Sequence, residues 1–316
     1  MKTFKSWAIA VIHVRIVSSA IAAEPSAAPS LPSFAASQSI AADASSDRYG
    51  PFNLLDHRSI YGQYWFPEPL RADEADVDNE FRTEWFHAEK RGRQNDELKI
   101  EIEKSFGLFT FELAPGWESD RTSAFNPTTH LTERTHDEGF GNVELGGRFP
   151  FYQYVSPSQF FDTTFVFGAE ATVPTQSDIS KDWEFVPKIF NLTRLGDHLA
   201  IQSGLGDSIL VGPEDRGLST IEYNVVFAYE LTNAELPLPH ILSTWPILEF
   251  DGEYTLNHDE AGHNELFGTA GFRFNFDSIR WLPAQPRIGI GYTFPIDQGA
   301  RDEFRWGIVT SLVFEY

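Results

Sequence analysis

Apolar and polar positions alternate through most of the chain beyond residue 79. Leu98, Ile100 and Ile102 alternate with Lys99, Glu101 and Glu103, which puts apolar groups on one face of a strand and charges on the other. In 218–231, Ile221, Tyr223, Val225, Phe227, Tyr229 and Leu231 alternate with Thr220, Glu222, Asn224 and Glu230. In 246–256, Leu248, Phe250, Tyr254 and Leu256 alternate with Glu249, Asp251 and Glu253. The last run sets Phe304, Trp306, Ile308, Thr310, Leu312, Phe314 and Tyr316 against Arg305, Gly307, Ser311 and Glu315. A strand of a soluble protein usually stops at ~5–6 residues, whereas a tilted strand crossing hydrocarbon needs about 9–11. The length of these runs therefore predicts an all-β fold, a transmembrane antiparallel up-and-down barrel.

Turn signals divide the pattern into twelve strands, at about 79–90, 96–106, 108–119, 140–152, 160–174, 182–194, 197–207, 218–231, 244–257, 264–276, 285–296 and 303–316. The sixth carries Trp183/Phe185 and Phe190/Leu192 on opposite phases, which predicts a bulge or a displaced boundary. With both termini periplasmic, the connections after odd strands are external: 91–95, 120–139, 175–181, 208–217, 258–263 and 297–302. The connections 232–243 and 277–284 are long on the periplasmic side, and their prolines and Trp281 suggest structured caps or parts of neighbouring strands. Phe161, Phe165, Phe167, Phe272, Phe274, Phe276, Ile288, Ile290, Tyr292 and Phe294 fall on the phase that faces lipid. Phe314 and the terminal Tyr316 end the last strand in the manner of the signal read by the barrel-assembly machinery.

The N-terminal part reads differently. Residues 1–23 have Lys2 and Lys5 before an apolar stretch, interrupted by His13 and Arg15, and an Ala20-Ile21-Ala22 cleavage pattern, as in a signal peptide. Residues 24–47 are mostly Ala, Ser and Pro, the composition of a disordered tether. Residues 48–78 place Tyr49, Phe52, Tyr61, Tyr64, Trp65 and Phe66 among prolines, as in an extended segment packed as a plug or at the periplasmic mouth of a barrel spanning 79–316. The acidic run 73–80 has Asp76, Asp78 and Glu80 at calcium-loop spacing, yet Phe81 stands where an EF-hand loop needs glycine. That run reads as a solvated connector.

Composition narrows the functions. The 316 residues contain no cysteine, which excludes disulfides, thiolate metal sites and cysteine nucleophiles. A net charge of -22 opposes nucleic-acid binding, which requires a basic face. No run beyond the leader is long and apolar enough for a transmembrane helix. The 28 phenylalanines against one methionine fit an outward aromatic band.

Three stretches carry a family resemblance. Gly139, Gly141, Asn142, Glu144, Leu145 and Gly146 resemble the glycine-x-glycine-Asp-x-Glu-Leu-Gly strand start of the outer-membrane barrel family named for the meta-pathway of phenol degradation, with Asn142 in the Asp position. Residues 168–175 resemble that family's strand closing on Pro-Thr, with Gln176 in place of the customary glycine, and 245–254 its later strand with an inward Glu. The final hairpin, 287–316, resembles the family's as well. The resemblance implies an outer-membrane barrel that passes small molecules, hydrophobic or aromatic ones among them; its motifs carry no catalytic signature, and neither enzymatic activity nor a cofactor is expected.

The phase opposite the apolar face assigns Glu144, Arg148, Asp162, Glu170, Glu222, Glu230, Glu249, Asp251, Glu253, Arg273, Arg305 and Glu315 to the lumen. Nine acids against three bases suggest a partly wet interior favouring cations or neutral solutes. Glu249, Asp251 and Glu253 stand out as pore residues. No G-x-S-x-G or H-x-S pattern accompanies the histidines, so no catalytic residues are assigned, and Ser203 beside Gly204 and Gly206 reads as an ordinary strand serine. No metal site is assigned either; His130, His136, His258 and His263, with nearby acids in external loops, are the weak candidates. The expected protein is an outer-membrane channel or transporter, whose partners are the lipid bilayer, the assembly machinery and a small solute. A closed structural or surface-interaction barrel and an outer-membrane hydrolase are the alternatives.

Overall fold

The computed structural model describes residues 48–49, 55–56, 66–76, 79–90, 92–106, 109–126, 131–156, 158, 160–175, 182–213, 217–259, 261–277 and 284–315. The expected leader 1–23 and tether 24–47, and also His130, Trp281 and Tyr316, lie outside the described residues.

Twelve antiparallel strands form a closed ring: β1 (Glu80–Lys90), β2 (Arg93–Phe106), β3 (Phe109–Asn126), β4 (Leu131–Val155), β5 (Phe161–Val173), β6 (Trp183–Leu195), β7 (Leu199–Val211), β8 (Ser219–Tyr229), β9 (Ile241–Thr255), β10 (Asn264–Phe276), β11 (Gln285–Pro295) and β12 (Trp306–Glu315). Each strand pairs with its sequence neighbours, and β12 closes on β1 from Trp306↔Glu89 to Glu315↔Glu80. Closure removes the two unpaired edges an open sheet would present, so each stave's backbone polar groups have ladder partners. Outward positions are apolar and open: Phe167 is 52% exposed and Ile290 48%, whereas inward residues of the same strands, Val166 and Thr293, are 0% exposed. No described helix is long and apolar enough to cross a membrane.

The expected loop 120–139 is instead the tip of a long hairpin. β3 and β4 pair from Thr110↔Arg148 out to Asn126↔Leu131, while β2 accompanies β3 only as far as Arg93↔Thr122. The tip lacks the apolar alternation used to place strands; main-chain pairing carries the ladder through polar residues there. Register shifts sit at Pro115/Trp117 and Pro150/Tyr152, where a proline nitrogen cannot donate to the ladder. The bulge expected in β6 is absent: its pairing with β7 keeps one register from Trp183↔Val211 to Leu195↔Leu199. Phe190 and Leu192 simply turn inward, where both are buried.

Two connections are built as caps. Leu231–Thr232 extends the sheet against β9, which already begins at Ile241, so the ends of 232–243 join the sheet, and Glu235 accepts from the Thr232 backbone and hydroxyl at 2.9 Å each in the turn between them. Between β11 and β12 lies a short helix, α1 (Gln298–Glu303), whose N-cap Asp297 accepts from the Ala300 and Leu266 backbones at 2.9 and 3.1 Å.

Candidate lumen site

Residues 66–76 run inside the barrel and are held there by side chains from seven strands. Glu249 of β9 accepts from three successive backbone N–H groups, those of Leu70, Arg71 (3.0 Å) and Ala72 (3.2 Å). Arg82 of β1 donates to the carbonyls of Pro69 (3.2 Å) and Leu70 (3.3 Å), and Arg273 of β10 donates to Pro69 at 2.6 Å. Gln202 of β7 serves both directions, donating to the Asp73 carbonyl at 2.5 Å and accepting from Ala75 at 3.3 Å. Arg148 of β4 donates to the Asp76 carbonyl (3.2 Å), Lys188 of β6 to the Asp73 carboxylate (2.6 Å), and Arg287 of β11 to Glu68. A segment without secondary structure can be buried only if its main-chain polar groups find such partners. Leu70, fully buried, fits where β10 and β11 carry Gly271, Gly289 and Gly291; a Cβ at those positions would lie 2.7, 2.8 and 3.0 Å from its methyls.

This segment divides the interior. On the side where β1 begins and β12 ends, the lumen is filled. Arg148 reaches Glu103 and Glu112 at 2.7 Å each and Glu101 at 3.7 Å; Arg273 meets Glu68 at 2.6 Å; Arg287 pairs with Glu68 and Glu315. Beside this lattice, Val166, Phe190, Leu192, Ala200, Val226, Ala228, Trp245 and Ile247 form an apolar core on β5–β9 with Phe66, Leu70, Ala72 and Ala75.

On the side of the long hairpin lies a cavity of about 310 Å³. Its acids are Asp73, Glu84, Glu97, Glu144, Glu170, Glu184, Glu222, Asp251 and Glu253; its bases are Arg71, Lys99 and Lys188. Lys188 sits 2.6 Å from Asp73, 2.6 Å from Glu170 and 3.2 Å from Glu222, and Lys99 is 2.5 Å from Glu144. Arg71 stacks 3.6 Å above the Phe86 ring and so presents its guanidinium at the cavity floor.

The residues named from sequence thus fall into distinct groups. Glu144, Glu170, Glu222, Asp251 and Glu253 come together at the cavity, while Arg148, Arg273 and Glu315 belong to the buried lattice. Glu249 holds the inserted segment. Asp162 accepts from Gln153 at 3.4 Å, and Glu230 pairs with Arg194 at 3.2 Å, both away from the cavity. Arg305 is exposed beyond the start of β12, and the structure does not bring it to the others. Phe314 lies near the end of β12, opposite Phe81 and Pro286.

Pattern reading did not assign Glu68, Glu74, Glu80, Arg82, Glu101, Glu103, Glu112, Lys188 and Arg287 to the lumen. The signal for Lys99, Glu101 and Glu103 was present in their alternation; Lys188 was hidden by the misread phase of β6. The run 73–80 is no solvated connector, because Glu74, Asp76 and Glu80 are buried.

The histidine candidates stay apart. His136 and His258 are exposed, the latter in a turn at φ 63°, and His263 contacts Glu265 at 3.0 Å. Among the described residues, the groups able to surround a cation are buried glutamates. One serine–histidine contact occurs among them, Ser119 Oγ to His136 Nε2 at 3.2 Å. The Glu138 carboxylate meets that same nitrogen at 3.3 Å, and Ser119 is 0% exposed. A triad needs the acid on the other nitrogen and an accessible hydroxyl, so this contact lacks both.

The fold and interior define the class as a closed twelve-stranded barrel with an apolar exterior and an internal segment. No family model and no curated protein matches the chain. Among solved structures it is similar to an outer-membrane channel from Pseudomonas putida F1, at 12% identity and TM-score 0.48, covering 80% of this chain and 100% of that one. It is similar also to the KdgM porin (11% identity, TM-score 0.38, 74% and 99%) and to OprD of Pseudomonas aeruginosa (10%, 0.32, 75% and 93%).

Proposed function

We propose that this barrel is an outer-membrane channel for small cationic or neutral solutes, with residues 66–76 setting its constriction. The observation that carries this is the cavity's nine acids against three bases, directly above the segment held by Glu249. Low-dielectric walls focus the field of such a lining, which attracts cations and repels anions. The outward apolar band supports residence in a bilayer. Kinship with the meta-pathway barrels rests on the 139–149 and 168–175 motifs and extends the solute class to small aromatic compounds.

The test is conductance of the purified mature chain in planar bilayers. Wild type is expected to show a small cation-preferring conductance. Leu70→Ala, which empties the glycine-lined seat of the segment, should raise conductance severalfold. Asp251→Asn combined with Glu253→Gln should reduce the cation preference measured as a reversal potential in a KCl gradient. The buried lattice of arginines and glutamates favours a second reading, a closed structural barrel. Silence of both wild type and Leu70→Ala would select it over the channel.

A further inference from the structure

Among the described residues, Glu80 is the lattice carboxylate that forms no ion pair. It is 0% exposed, and neither carboxylate oxygen has a hydrogen-bond partner among the described residues. The lattice bases are committed elsewhere. Arg82 lies 2.6 Å from Glu84 and 3.8 Å from Glu74, Arg148 is shared between Glu103 and Glu112, and Arg273 and Arg287 converge on Glu68. Glu80 nevertheless points into two carboxylate groups at once: with Glu68 and Glu74 on one side, and with Glu101 and Glu103 on the other, the facing oxygens in each lie within 4.8 Å of one another. A buried anion in this position requires either a proton or a cation.

We infer that Glu80, Glu101 and Glu103 form a buried binding site for a calcium-type divalent cation, with Glu74 adjoining it. Glu68, already clasped by two guanidiniums, is the poorest ligand of the five. A calcium ion holds oxygens at ~2.3–2.6 Å, so opposite ligands stand about 5 Å apart, and the observed spacing falls within that span. The ligands are all carboxylates, and this donor set selects a hard cation over zinc or copper. The site ties the first residue of β1 to β2 at the seam where Glu315 of β12 pairs with Glu80 in the ladder. A cation there would therefore brace barrel closure.

The experiment uses the mature chain folded in detergent, stripped with EDTA and equilibrated by dialysis against micromolar calcium chloride. Bound calcium and the thermal midpoint are measured together. Wild type is expected to retain one equivalent that Glu80→Gln loses and Asp251→Asn keeps, the last variant separating this site from the acidic cavity. Calcium should raise the midpoint of wild type and leave that of Glu80→Gln unchanged. Should Glu80→Gln not fold, Glu101→Gln replaces it, with the same loss expected. Equal calcium content in wild type and the lattice variants would overturn the inference. So would a Glu80→Gln chain at least as stable as wild type in both EDTA and calcium, since Glu80 would then be holding a proton.

Discussion

The two halves of the barrel interior are lined by inward phases of the same strands, yet one is packed and the other hollow. In the half where β1 begins and β12 ends, guanidiniums alternate with glutamates at 2.6–2.7 Å, and an apolar core fills the remaining space. In the half near the long hairpin, acids outnumber bases around a cavity of about 310 Å³. The difference follows residues 66–76, which bring Glu68, Leu70 and Glu74 into the first half and only Arg71 and Asp73 to the edge of the second. Charge on a strand's inward face is thus compatible with either a dry lattice or a wet lining. Which one results depends on whether a second piece of chain arrives to fill the space.

The largest expected effect separates the halves directly. Arg148→Met removes the guanidinium from the buried Glu103 and Glu112, and a broken buried pair costs about 3–5 kcal/mol. Lys188→Met orphans Asp73, Glu170 and Glu222 at the cavity wall, where solvent can replace the ammonium, and the expected cost is about 1 kcal/mol. Urea midpoints of the two variants check this, and equal losses would break the distinction between halves. An intermediate effect is expected at the divide itself. Glu249→Gln replaces charge-assisted acceptance from three N–H groups by a weaker neutral one, loosening the segment by about 2 kcal/mol. Trypsin cleavage after Arg71 should accelerate while the barrel midpoint changes little.

The smallest effect lies outside both halves. Burial would raise the Asp297 carboxyl, but donation from the Ala300 backbone, the Asn264 amide and the Leu266 backbone holds it below its ordinary value of 3.8. A depressed folded value stabilises the fold at neutral pH, and this contribution is lost as pH falls from about 4 through the lowered value. Asp297→Ala should cost about 1 kcal/mol at pH 7 and remove that portion of the acid sensitivity, leaving calcium content and conductance as in wild type.

Much of the barrel was legible because period two is a local property. Alternation located all twelve strands, and the inward phase of β9 put Glu249, Asp251 and Glu253 together on one face. The hairpin tip was illegible, since its ladder is made by main-chain groups and leaves no apolar trace. The phase of β6 was misread because Phe190 and Leu192 are apolar and inward, a combination that makes sense only once Trp245, Ile247 and Phe66 are there to cover them. Glu80 stood out at calcium-loop spacing with Asp76 and Asp78, but its actual neighbours could not be read: Glu101 and Glu103 come from the next strand, and Glu74 from a stretch without periodicity.

The amino-acid sequence by itself determined an all-β closed architecture and the outward face of every strand but β6, because a two-residue repeat dictates which side chains share a side. It also set the excess of inward acids. Only the tertiary structure decided which of those acids pair, which surround Glu80 and which remain at a cavity. Those outcomes depend on distances across the barrel and on the path of residues 66–76, and neither leaves a mark on local sequence.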